Sequence, residues 1–321
     1  MAEQKKYRIS SEQRKRLQNS AKTRKKPEQK KKRKKLISIP VLLLFAAIVT
    51  FLYFYNKRPR KYLAADDTLA VHFIDVGQGD CTLLAADGEI MLVDCGEYQY
   101  APDVVDYLND RGVKRIDHLV ATHPHSDHMG GMARIIEEFD IGEVIIPHID
   151  EKDVPTAVFF EKFLDACEEE GCPVNEAEVG SKIHIGDAVA EIIAPNSDSY
   201  DDVNNYSIAL MVDHGRKSFL LTGDAESLSE HEMIGKGYLH HVDVYKAGHH
   251  GSSSSSSKAL LNEITPDAVV ISCGAGNSYG HPADSVLKRI SEYTKNIYRT
   301  DIDGSIVFES DGEKVRLMTE R

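Results

Sequence analysis

Thr122-His-Pro-His-Ser-Asp-His-Met-Gly-Gly131 decides how this chain is read. Three imidazoles and one carboxylate stand within six residues, in the pattern His-x-His-x-Asp-His. An apolar run over 118–121 leads into the motif and a helical pattern over about 129–138 follows it. The motif therefore occupies the loop at a strand's C-terminal end, where sites in α/β folds gather. Alternate side chains of an extended chain point the same way, so His123 and His125 face one ion. Asp127 and His128 then face a second ion. Imidazole with carboxylate suits zinc, manganese or iron. The bland alternative is a solvated histidine-rich loop, which has no need of four ligand groups at this spacing.

Two cations call for a carboxylate between them, and Leu220-Leu-Thr-Gly-Asp224 supplies one at the end of another apolar run. Alone, Asp224 would read as a turn residue or helix cap. Gly248-His-His-Gly-Ser252 follows an apolar run at 242–245 in the same way, with glycines that let backbone approach a ligand closely. Ser252 and Ser253 offer donors for a phosphate at the next helix. Lys246 reads either as a surface lysine or as an anion-binding charge. Asn277-Ser-Tyr-Gly-His-Pro282 brings His281 to a further strand end. The other histidines (72, 118, 148, 184, 214, 231, 240 and 241) read as packing or surface residues.

Around these motifs, apolar runs of strand length alternate with helical patterns. An Asp87-Gly88 pair between two short apolar segments marks a hairpin. Strands are expected at 69–75, 81–86, 89–94, 118–121, 144–146, 189–194, 208–213, 219–221, 242–245, 268–272 and 305–308. Helices are expected at 102–109, 129–138, 158–170, 225–234, 257–263 and 283–293. Hairpins mixed with strand–helix units indicate an α/β domain with mixed sheets. An αββα sandwich fits, and periodicity alone does not separate it from a three-layer arrangement.

The quoted segments, with Phe73-Ile-Asp-Val-Gly-Gln-Gly-Asp80 and Leu92-Val-Asp-Cys-Gly96, closely resemble the metallo-β-lactamase superfamily. Within it they resemble the hydrolase domain of ComEC-type DNA-uptake competence proteins. The resemblance spans roughly residues 69–310. It implies an αββα metallo-β-lactamase sandwich holding two divalent ions, zinc or manganese, at one edge. By it, His123 and His125 bind one metal, Asp127 and His128 the other, and Asp224 lies between them. His281, 57 residues after Asp224, would be the last metal-binding histidine. His249 or His250 would assist the leaving group. One departure stands out. The superfamily usually places a metal-binding histidine before the bridging aspartate, whereas this chain has Asn204-Asn-Tyr-Ser-Ile208, a pattern the competence branch shares. The His123/His125 ion then has fewer protein ligands.

The implied chemistry is hydrolysis, with a bound divalent ion activating water. Asp127 and His249 or His250 are the catalytic candidates, one of the two histidines acting as general acid. Lys246, Ser252 and Asn205 are the candidates for binding substrate. A phosphodiester, DNA included, is the first-ranked substrate. A nucleotide, a wall-polymer phosphodiester, an ester or a lactone is the alternative, and a degenerate surface binding module is the rival from another class.

Charge divides the chain. Residues 1–35 hold sixteen Lys/Arg against three acids, and 36–61 add four basic residues and no acid. That leaves 19 basic and 48 acidic residues in 62–321, a net of −29. Such a domain should repel a polyanion, because phosphate neutralisation by Lys/Arg dominates nucleic-acid affinity. Residues 36–55 are twenty uncharged, mostly apolar residues, and a bilayer core of about 30 Å needs about 20. They read as one transmembrane helix contacting membrane lipid, after a basic cytoplasmic tail (1–35) and before a linker (56–68) and the hydrolase domain (69–321). The excess of basic residues before the span puts the N-terminus in the cytoplasm and the domain outside. A cleaved signal peptide is the competing reading. No protein partner is indicated. Of five cysteines, Cys81 and Cys95 read as buried, and Cys167 and Cys172 are near enough in sequence to pair.

Overall fold

The computed structural model describes residues 62–150 and 152–319. The basic tail, the apolar run 36–55 and the linker up to residue 61 lie outside the described residues. Among the described residues no helix is long and apolar enough to cross a membrane.

Two sheets are built to the same plan. The first opens with an antiparallel meander of β1 (Leu69–Phe73), β2 (Thr82–Ala86) and β3 (Glu89–Val93). Asp87 and Gly88 turn between β2 and β3 with φ of 51° and 86°, the left-handed pair that a two-residue hairpin needs. Then β4 (Arg115–Val120), β5 (Asp140–Ile146) and β6 (Val174–Glu176) add in parallel. Their crossovers are α1 (Ala101–Arg111), the pair α2 (Ser126–Met129) and α3 (Met132–Glu138), and α4 (Val158–Glu170). The second sheet begins antiparallel with β7 (Lys182–Ile185), β8 (Ala188–Ala194), β9 (Ala209–His214) and β10 (Lys217–Leu221). It continues in parallel with β11 (Val244–Lys246), β12 (Ala268–Ile271) and β13 (Ile297–Arg299). These are linked through α5 (Ser227–Lys236), α6 (Lys258–Ile264) and α7 (Asp284–Ile290). After α8 (Thr300–Asp303), the hairpin β14 (Ile306–Ser310) and β15 (Val315–Thr319) returns to pair with β1.

The strand orders are β15-β14-β1-β2-β3-β4-β5-β6 and β13-β12-β11-β10-β9-β8-β7. Crossovers between parallel strands are right-handed in nearly all proteins, which puts the helices of a parallel half on one face and leaves the other face free to meet the second sheet. Val71, Phe73, Met91, Val120, Ile192, Leu210, Phe219 and Val244 fill the layer between the sheets. Behind the second sheet, Tyr245, Val269 and Ile271 pack with Met233 of α5, Leu260 and Leu261 of α6, and Val286 and Ile290 of α7. Each such large side chain contributes roughly 1.5–3 kcal/mol on burial. The result is the four-layer α/β sandwich expected from the sequence, and β3, β4, β10, β11 and β12 all direct their C-terminal ends to one edge.

Strands β6, β7, β13 and β15 were not expected. β6 and β13 have three residues each, too few for a period-2 pattern, and β7 and β15 are edge strands with charged residues. All five cysteines are free thiols, so Cys167 and Cys172 do not pair. Their closeness comes from the end of α4, where Gly171 turns left-handed (φ 70°) and the Cys172 amide donates to the Cys167 carbonyl at 3.0 Å.

Candidate metal centre

The strand-end motifs converge on one buried cluster. The ligand atoms of Asp80, His128, Asp224 and His250 lie within 4.8 Å of one another, and all four side chains are buried. His128 follows β4 and its Nδ1 faces the Asp94 carboxylate at 2.8 Å. Asp94 directly follows β3 and is held there by the Thr122 amide (2.8 Å) and hydroxyl (2.7 Å). A carboxylate accepts only, so Nδ1 carries the proton and Nε2 is left facing Asp224 Oδ1 at 3.3 Å. Neither His128 Nε2 nor Asp224 Oδ1 has a hydrogen-bond partner, though both are buried. Leaving such groups unpaired costs about 1–3 kcal/mol each, which a cation between them would recover.

His250 enters from the other sheet. His249 and His250 both take left-handed backbone angles (φ 49° and 52°) in the Gly248–Gly251 turn, a strain of about 1–3 kcal/mol per residue that clusters at working sites. The turn sends the two rings in different directions. His250 Nε2 lies 3.2 Å from Asp127 Oδ2 and 3.4 Å from Asp224 Oδ2, inside the cluster. His249 faces the cavity, its Nε2 3.7 Å from Asp224 Oδ2 and its Nδ1 3.3 Å from the Ser254 hydroxyl. On the far side of Asp224, His123 Nε2 and His125 Nδ1 point at each other at 3.0 Å, with Asp224 Oδ2 4.0 Å from His123. Two ligand nitrogens about 2.0–2.1 Å from a tetrahedral ion sit about 3.3 Å apart, so this pair is close to the required spacing.

The electrostatics are those of a cation site. Burial lowers an imidazole's pKa, yet Asp224 and Asp94 drive His128 well above its ordinary value. Burial likewise opposes protonation of His250, but Asp224 and Asp80 raise it to about 9. Burial, reinforced by His128, pushes His123 well below its usual value and keeps it a lone-pair donor. Burial alone would raise Asp127, but His250 and His128 outweigh it and hold its carboxyl below the usual range.

The other sequence candidates fall elsewhere. A cavity of about 270 Å³ is lined by Gln78, His125, Ser126, Asp127, Asp224, His249, His250, Tyr279 and His281. His281 is on its wall, ring centroid 5.5 Å from His249 and 6.5 Å from His250, outside the four-residue cluster, with Tyr279 stacked on it. Asn277 pins that loop by accepting from the amides of Tyr279 and His281, both at 3.1 Å. Lys246, Ser252 and Asn205 do not line the cavity. Lys246 is 2% exposed and ion-paired to Asp80, so it is no surface lysine. Ser252 is buried against the Ser254 hydroxyl (3.0 Å). The Asn205 side chain accepts from the amides of Glu226 (3.2 Å) and Ser229 (3.4 Å), capping the start of α5. Asp80 and Asp94 were given no role from sequence alone, although each belongs to a quoted motif. Asp94 carried the same signal as Asp224, an aspartate at the end of an apolar strand.

Ser207 occupies the neighbourhood where the superfamily usually supplies another histidine. Its hydroxyl is 3.3 Å from His123 Nδ1 and accepts from the Asp224 amide at 3.0 Å. It orients those residues and stands at Nδ1 of His123, on the other side of the ring from the Nε2 that faces His125.

Comparison with known proteins places these features in a family. The profile described as the metallo-beta-lactamase superfamily matches residues 74–275. ComE operon protein 3 of Bacillus subtilis is 28% identical over 256 residues, covering 74% of this chain and 32% of that protein. Recombination protein 2 of Haemophilus influenzae is 30% identical over 244 residues, covering 74% of this chain and 28% of that one. This chain thus spans about a third of the length of those relatives. Among solved structures, the metallo-beta-lactamase fold protein YhfI of Bacillus subtilis superposes with a TM-score of 0.51 at 12% identity, covering 76% of this chain and all (100%) of YhfI.

Proposed function

The chain belongs to the metallo-beta-lactamase superfamily, and on that premise we propose that it is a membrane-anchored, extracellular phosphodiesterase working at a two-cation centre. The observation that carries the proposal is the convergence of buried, unpartnered ligand atoms, His128 Nε2 and Asp224 Oδ1, at the strand-end edge. Asp127, His128, His250 and Asp224 would hold one zinc or manganese ion, and His123, His125 and Asp224 the other. Bound there, divalent ions supply Lewis acidity and a water acidic enough to attack near neutral pH.

The chain's own residues do the rest. His249 stands on the cavity wall with one ring nitrogen toward Asp224 and the other toward Ser254, placed to pass a proton to the departing oxygen. His281, lodged beside it, is placed to orient the substrate. The Asn277-pinned loop keeps both His281 and Tyr279 preorganised at the mouth. A cavity of about 270 Å³ suits one phosphodiester with its nearest neighbours.

DNA is the substrate implied by the resemblance to ComEC-type DNA-uptake competence proteins. The net charge of −29 over residues 62–321 favours a second reading, a small phosphodiester that brings little charge of its own. Kinetics against ionic strength separate the two. For DNA the acidic surface would make KM fall as salt rises, the reverse of a nuclease with a basic groove. Failure to cleave an oligonucleotide at any salt, alongside turnover of bis(p-nitrophenyl) phosphate, selects the small substrate. Turnover of carboxyl esters alone removes the phosphodiesterase reading. Anchoring has its own test: protease added to intact cells should digest the domain and leave a short protected stub. Full protection until lysis contradicts an extracellular domain.

A further inference from the structure

One member of the cluster, Asp80, forms an ion pair with Lys246 that neither lines the cavity nor reaches solvent. Asp80 is 3% exposed and Lys246 2%. Lys246 Nζ is 2.5 Å from Asp80 Oδ2 and also donates to the Ala247 carbonyl at 2.9 Å. Removing two charges from water costs more than their attraction returns unless the geometry does something further. The remaining oxygen, Asp80 Oδ1, has no hydrogen-bond partner and sits 3.2 Å from His250 Nδ1. That ring nitrogen is also 3.1 Å from the Ser272 carbonyl. Both neighbours are acceptors, so Nδ1 holds a proton, which leaves Nε2, facing the carboxylates of Asp127 and Asp224, as the ring atom open to a cation.

The pair also joins the two sheets. Asp80 lies in the β1–β2 loop of the first sheet, and Lys246 ends β11 of the second, four positions before His250. The Asp80 amide donates to the Asp127 carbonyl at 3.1 Å, locking this loop to the metal-motif loop. Gly79 makes that approach feasible, since a Cβ there would stand 2.3 Å from the Asp127 carbonyl oxygen at a φ of 128°. Phe73-Ile-Asp-Val-Gly-Gln-Gly-Asp80 thus ends on a residue aimed at a ligand from the opposite sheet.

We propose that Asp80 and Lys246 form a positioning pair which fixes the tautomer and orientation of His250, and through it the affinity of the inner cation position. Lys246 acts on Asp80 and not on substrate. The proposal rests on the reading of His250 as a metal ligand.

The test uses the full-length chain, with zinc alone as probe. Zinc affinity is measured by chelator competition, melting temperature by calorimetry, and the ring nitrogens of His250 by 15N NMR of the zinc-bound protein. Wild type should show His250 protonated at Nδ1 and bound to zinc through Nε2, and a proton resident on Nε2 overturns the proposal without any variant. Lys246→Met alone should melt earliest, because it strands a buried carboxylate. The double variant Asp80→Asn/Lys246→Met leaves no unpaired charge, should melt close to wild type, and should bind the first zinc roughly 10–100-fold more weakly. The Nδ1 shift of its zinc-bound His250 should move, because the carboxylate behind that nitrogen has become an amide. Unchanged zinc affinity and unchanged shifts in the folded double variant reduce the pair to a structural bolt. His250→Ala binding zinc as tightly as wild type is a different failure, of the ligand assignment itself.

Discussion

The two ends of the cation cluster are built from the same residue types but supported differently. At the inner end, His128 and His250 are buried and each is backed by a carboxylate, Asp94 at 2.8 Å and Asp80 at 3.2 Å. At the outer end, His123 is backed only by the hydroxyls of Thr122 (3.2 Å) and Ser207 (3.3 Å), and His125 is half-buried on the cavity wall. A carboxylate behind an imidazole fixes the ring and makes it a better donor. Ligand identity in the sequence therefore does not rank two sites, whereas what stands behind each ligand does. The inner position should fill first and hold longest.

The severest way to break the comparison is Asp224→Ala, which removes the group common to both ends. Metal analysis should find neither ion retained, and hydrolysis should drop to background. If one equivalent stays bound, the two ends do not share this carboxylate. Next in size is His249→Ala, which should keep the metal while slowing cleavage of an unactivated phosphodiester by roughly 10²–10⁴-fold. The loss should shrink for a nitrophenyl leaving group that departs without a proton. Loss of metal in this variant would move His249 from the cavity wall into the ligand set.

Asp94→Asn sharpens the comparison directly. Zinc affinity at the inner position should weaken by roughly 10–100-fold, with the outer position little changed. Equal weakening at both ends, read from a two-step titration, would remove the distinction between them. The smallest effect is expected outside the cluster. Asn205→Ala should cost about 1 kcal/mol through the lost cap of α5, seen as a lower melting temperature. Metal stoichiometry and KM should stay as they were, and a raised KM would return Asn205 to the substrate.

Much of this was legible in the linear chain because the strongest signals were short and local. His-x-His-x-Asp-His, the Asp224 strand end and the Asp87-Gly88 turn each depend on neighbours in sequence. What was not legible depends on pairs far apart. Asp80 and Lys246 are 166 positions from each other and meet only because β1–β2 and β11 belong to facing sheets. Lys246 looked free for an anion because nothing local marks a lysine as buried. His249 and His250 looked interchangeable as neighbours, and only the left-handed turn between the glycines separates their directions. Asn205, adjacent to the departure from the family's ligand pattern, drew a substrate role because its partner amides lie 21 and 24 residues downstream.

We propose that the buried histidine–aspartate cluster is a cation site that drives phosphodiester cleavage. The most direct measurement strips the full-length chain with chelator and follows bis(p-nitrophenyl) phosphate hydrolysis as zinc or manganese is returned, for wild type beside Asp224→Ala. The stripped protein should be inactive, wild type should recover as metal is added, and the variant should not. Hydrolysis that survives chelation, or that returns equally in Asp224→Ala, would show that the cluster is not the cation site of the reaction.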